Sequence, residues 1–97
     1  MEFKNQKEMF FHIWESRPHK SEVSGTYLGE EAKAHYFAHI LSKGAYPSYK
    51  LDPDNIVLLT MQEHHDFDAG IKDLKNDPKW KWVLEKTDKL IAKYYRK

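Results

Sequence analysis

AHYFAHILSKGAYPSYKLDPDNIVLLTMQEHHDFD, Ala34 to Asp68, decides how this chain folds, and it holds four of the six histidines. HYFAHIL is rich in aromatic and branched residues and reads as a strand. In extended backbone His35, Phe37 and His39 share one face, with Tyr36, Ala38 and Ile40 on the other. SKGAYPSYKLDPD follows, thirteen residues with Gly44, Pro47 and Pro53 and no period, hence a loop. NIVLLT is short, branched and apolar, and suits a second strand antiparallel to the first. Thr60-Met61-Gln62-Glu63 then fits a capping box, with Thr60 as N-cap and Glu63 as its reciprocal partner. His64 and Asp68 lie four residues apart on one face of the helix that this box opens. Gly70 is where that helix ends or loosens.

Outward from this stretch the pattern is helical. Met9, Phe10, Ile13 and Trp14 recur at helical spacing, and Pro18 limits that helix to about Ser16. KSEVSGTYLG reads as a turn or knuckle around Ser24-Gly25. Asp77-Pro78 opens a last helix, a cap followed by proline at the first helical position. Its buried side is expected to be Trp80, Val83, Leu84, Ile91 and Tyr94. The far side carries Lys86, Lys89, Lys93 and Arg96, a solvated face or a phosphate-following one. Trp14, Trp80 and Trp82 are expected in the core.

Composition bounds the rest. The 97 residues make one domain, 1–97, and 40% apolar with 14% aromatic content is that of a globular fold. The absence of cysteine excludes disulfides and thiolate-bound zinc. A metal would have to be held by His, Asp, Glu or Asn. No stretch approaches the roughly 18–20 apolar residues of a membrane span, and MEFKNQKEMF lacks a signal-peptide core, so a cytoplasmic protein is expected. A net charge of +1 neither advertises nucleic-acid binding nor forbids a local basic patch.

Strand, long loop, strand and helix bring His39 beside His64 and Asp68. A neutral imidazole can take a proton from water near physiological pH. A His and an Asp at i, i+4 can grip one divalent cation. Asn55 can hydrogen-bond the imidazole or pin the loop. A base beside a metal is equipment for phosphodiester hydrolysis.

The order His39, Asn55, His64 resembles that of the HNH endonucleases, the ββα-metal nucleases. The phrases GAYPSYKLDPDNIVLLT and WESRPHKSEVSGTYLGEE look like the phage-type HNH proteins in particular. The likeness covers Ile13 to Asp68, with a motif core of about 34–70. It implies an α+β fold: a β-hairpin with a long loop leading into a helix, flanked by N- and C-terminal helices. It also implies a nuclease acting on nucleic acid, DNA before RNA, of phage or mobile-element origin. His39 would be the general base and Asn55 its catalytic companion. His64 and Asp68 would hold Mg²⁺ or Mn²⁺, with Zn²⁺ or Ni²⁺ as alternatives and His65 or His35 as further ligands. Lys43, Lys50 and Arg17 would meet phosphate, and a homodimer is compatible with this reading.

Two departures accompany the likeness. Many relatives carry CxxC pairs that bind a structural zinc; here the matching positions are Ser21-Ser24 and Thr60-Glu63. Both pairs are replaced together, so the reading is a fold kept without structural zinc. The residue before the base, in the family an Asp or His that helps bind the catalytic metal, is Ala38. That substitution keeps a second reading open, a weakened HNH fold that binds nucleic acid or a host protein as a regulator.

Overall fold

In the computed structural model, residues 3–69 and 77–96 are described. Among them are three helices and one two-stranded antiparallel sheet, an α+β architecture. Helix α1 spans Gln6–Ser16. Asn5 caps it, its Oδ1 accepting the Glu8 backbone N–H at 2.9 Å. It stops where Pro18 requires, with Arg17 already extended at φ −120°, ψ 153°. Met9, Ile13 and Trp14 are buried, while Phe10 is half-buried and stacks on Phe37 at 4.3 Å.

The expected knuckle is present. Ser21 and Thr26 are joined by a backbone bond, and Gly25 turns the chain at φ +78°, a conformation open to glycine. The first strand is shorter than HYFAHIL: β1 is Phe37–His39, and Ala34–Tyr36 forms a 3₁₀ turn ahead of it. His35 therefore does not share the strand face of Phe37 and His39. Its ring meets Tyr36 edge-on at 4.6 Å, not Phe37. The second strand, β2, is Ile56–Leu58, entered through a 3₁₀ turn at Pro53–Asn55. Phe37 pairs with Leu58, Ala38 with Val57 and His39 with Ile56.

The hairpin lies between two apolar clusters, and the two-residue period of its strands feeds both. Phe37, Ile56 and Leu58 pack with Met9, Ile13 and Trp14 of α1. Ala38 and Val57 join Phe67, Trp80, Val83 and Leu90 in the other cluster. Helix α2, Met61–Ala69, starts with the expected capping box: Glu63 N–H to Thr60 Oγ1 at 3.1 Å, and Thr60 N–H to Glu63 Oε1 at 2.9 Å. The expectation for Gly70 lies outside the described residues.

The last helix also starts as expected. Asp77 Oδ1 accepts from the Lys79 N–H, and a 3₁₀ turn at Pro78–Trp80 leads into α3, Lys81–Tyr95. Trp80 and Val83 are buried, but the third buried residue is Leu90; Leu84, Ile91 and Tyr94 are half-buried. Two long-range bonds register this helix: the Tyr49 hydroxyl donates to the Leu90 carbonyl, and the Trp82 indole to the Glu22 carbonyl. Among the described residues, no helix is long and apolar enough to cross a membrane.

Candidate functional site

His39 ends β1 on the side of the sheet that faces α1, 6.2 Å from the Phe10 ring. His64 stands in the first turn of α2 and Asp68 in its last. All three line one cavity of about 540 Å³, together with Lys43, Ser42 and Gln6. The strand–loop–strand–helix order thus gathers His39, His64 and Asp68, as the sequence led us to expect.

Each imidazole is tied by one nitrogen. His39 Nε2 lies 3.2 Å from the Lys50 carbonyl. A carbonyl only accepts, so this nitrogen carries the hydrogen and Nδ1 keeps its lone pair. Burial holds the His39 imidazole below its ordinary value; the Lys50 carbonyl opposes this, while Lys43 and His64 act with burial. The ring is therefore neutral at physiological pH, the state a proton acceptor needs.

His64 is tied the other way round. Its Nδ1 donates to the His35 backbone carbonyl at 2.7 Å, leaving Nε2 at 3.2 Å from Asp68 Oδ2. Two lone-pair-bearing atoms at this distance attract only through a shared cation or proton. Two donors each about 2.1 Å from a tetrahedral or octahedral ion stand roughly 3.0–3.4 Å apart, so the spacing fits a pair of ligands. A mixed imidazole–carboxylate set suits Mn²⁺, Ni²⁺ or Zn²⁺, and Mg²⁺ through its carboxylate. Among the described residues no group of three or more His, Asp or Glu side chains converges as a closed cage. An ion held here would complete its shell with water and substrate oxygens.

Other expected residues take different places. Asn55 is fully buried and does not meet an imidazole. Its Oδ1 accepts from the Leu41 N–H at 2.8 Å, and its Nδ2 donates to the Leu41 carbonyl at 2.9 Å and the Tyr49 carbonyl at 3.4 Å. It closes the loop whose Lys50 carbonyl holds His39. His35 contributes its carbonyl to His64 instead of its ring. His65 is exposed and outside the cavity lining.

Of the three cationic candidates, Lys43 alone lines the cavity, its ammonium bonded to Gln6 Oε1 at 3.2 Å. Lys50 serves through its backbone. Arg17 is a strut: its guanidinium spans Glu22, the Ile56 carbonyl and the Pro53 carbonyl, each at 2.8 Å. Gln6 and Ser42 escaped the sequence reading, which has Phe10 only in the apolar stripe of α1. Their place depends on how α1 docks and how the loop folds back, for which no local pattern exists.

The positions matched to the zinc pairs do meet. Ser21 Oγ donates to Glu63 Oε1 at 2.6 Å and accepts the Ser24 N–H at 3.0 Å. Burial alone would push the Glu63 carboxyl up, but hydrogen bonds from Ser21, the Thr60 backbone and Ser24 outweigh it and hold the group below its ordinary value. An oxygen-based cluster thus joins the knuckle to the start of α2. Ala38 is fully buried, in the cluster on the sheet side away from His39. The position before His39 supplies packing.

No protein-family model matches this sequence, and no curated protein or solved structure is significantly similar to it.

Proposed function

We propose that this protein is a metal-dependent endonuclease of the HNH type, hydrolysing phosphodiester bonds in nucleic acid, with DNA as the first substrate. The reading rests on one arrangement: His39 and His64 line the same cavity, and each is anchored to a backbone carbonyl through one nitrogen. His39 Nδ1 accepts a proton from a water molecule, and the resulting hydroxide attacks phosphorus. The bond from phosphorus to the departing oxygen breaks, and the imidazolium returns its proton to solvent or to that oxygen. A divalent ion would be held by His64 Nε2 and Asp68 and would supply positive charge to the phosphate and the departing oxygen. Lys43 adds charge for the phosphate at the cavity wall.

The buried Ala38 and the two-residue ligand set favour a second reading, a weakened copy that binds nucleic acid without cutting it.

Plasmid cleavage with Mg²⁺ or Mn²⁺ separates the two. His39→Ala should keep the fold and the metal affinity while cleavage falls by about 10²–10⁴. His64→Ala should lose both cleavage and metal affinity. The acid limb of the wild-type rate should lie below about pH 6.5, because the base stays neutral to lower pH than a free imidazole. A wild-type protein that binds DNA and cuts nothing with several divalent ions would replace the nuclease reading by the regulator one.

A further inference from the structure

Beside the catalytic cavity runs a second groove of about 400 Å³, between α1 and the segment entering β1. Its walls are apolar and aromatic: Phe10, Phe11, Phe37, Ala32 and Ala34. Lys7 and Lys33 stand on its rim, both exposed. Phe11 is 66% exposed although it sits mid-helix, where a solvent-facing position ordinarily carries a polar residue. Gln6, Phe10, Ala34 and Phe37 line both hollows, so the groove adjoins the site of His39 and His64.

We propose that this groove takes one unpaired nucleobase of the substrate, next to the phosphate in the cavity of His39 and His64, so that single-stranded or locally opened nucleic acid is preferred over intact duplex. The inference rests on the nuclease reading and deepens it. Phe11 offers a free stacking face that any base can use, beside the Phe10 ring stacked on Phe37, and base–aromatic stacking is tolerant of sequence. A cationic rim on an apolar floor suits a ligand that is flat and apolar in its body and anionic where it joins its chain. A nucleotide has that character; an apolar peptide or acyl chain gains nothing from Lys7 and Lys33. A base inside a duplex is stacked on both faces, so entry requires an unpaired one.

Fluorescence anisotropy with a labelled oligonucleotide and its matched duplex, in EDTA to prevent cleavage, provides the test. Phe11→Ala should weaken single-strand binding by about 5- to 100-fold, the effect of one lost stack, and leave duplex binding within about twofold. Phe11→Trp should restore it, because it renews the stacking face. Lys7→Gln with Lys33→Gln should weaken binding and flatten its dependence on salt. Equal single-strand affinity in wild type and Phe11→Ala, or the same loss on duplex, overturns the base pocket while the nuclease reading stands on its cleavage assay. Failure of the metal-free wild type to bind single strands overturns the base pocket, and the nuclease reading is then judged by cleavage with Mg²⁺ or Mn²⁺. A Phe11-dependent dimer in sedimentation would assign the groove to a second copy of the chain and likewise overturn it.

Discussion

Replacing Asn55 by alanine should unfold the loop that supports His39. The amide makes three buried bonds, two to the Leu41 backbone and one to the Tyr49 carbonyl. In Asn55→Ala the Leu41 N–H and C=O are left without that partner in a site closed to water. Each such group costs about 1–3 kcal/mol, and the 3.4 Å bond to Tyr49 adds little. The sum is roughly 2–6 kcal/mol, a large part of the 5–15 kcal/mol that holds an ordinary domain together. For a chain of this length the melting midpoint should fall by about 10 °C or more. Cleavage measured well below the new midpoint should also drop, because the loop carrying the Lys50 carbonyl no longer holds the His39 ring. Asn55→Asp keeps the acceptor for Leu41 N–H but faces two carbonyls with a carboxylate. It should be at least as unstable at pH 7 and recover partly on acidification, when protonation returns a donor. Differential scanning calorimetry of both variants beside wild type reads this directly. A variant with an unchanged midpoint and abolished cleavage would refute the clamp and put Asn55 in the chemistry.

Glu63→Gln should destabilise the protein at pH 7 and lose most of that deficit in acid. A carboxyl held below its ordinary 4.5 stabilises the fold above that pH, and the stabilisation disappears as pH falls through the folded value. Thermal melts at pH 7 and pH 3 should therefore converge for the two proteins; a constant gap would remove the charge from the explanation. Washing with a chelator should leave circular dichroism and melting midpoint unchanged, since the knuckle and α2 are joined by Ser21, Thr60 and Glu63. Unfolding on chelation would reveal a structural metal instead.

Where the chain's signals were local, the reading held. Thr60 and Glu63 stand three residues apart and close the capping box. Arg17 is extended because Pro18 follows. The order strand, loop, strand and helix puts His39, His64 and Asp68 on one cavity, with His39 opposite Ile56 in the hairpin. The misplaced parts depend on contacts between distant segments. HYFAHIL has strand composition throughout, yet Ala34–Tyr36 turns so that the His35 carbonyl reaches His64, 29 positions on. Tertiary bonding overrode propensity there. Arg17 looks like any surface cation until its guanidinium meets carbonyls 36 and 39 residues away. Asn55 carried two readings in sequence, and only the fold of its own loop separates them. The exchange of Ile91 for Leu90 in the core is a rotation of about 100° on α3, within the width of a helical stripe.

The oxygen cluster at Ser21, Thr60 and Glu63 also sets which chemical insults the fold ignores. A thiolate junction is open to peroxide, disulfide exchange and alkylation, all of which attack sulfur. Hydroxyls and a carboxylate offer those reagents nothing. The remaining oxidisable sulfurs belong to methionine; Met9 is sealed in the core, and Met61 sits on the outer surface of α2, where a sulfoxide meets only solvent. Peroxide concentrations that dismantle cysteine-stapled domains should pass this one by, leaving acid as the agent to which the junction answers.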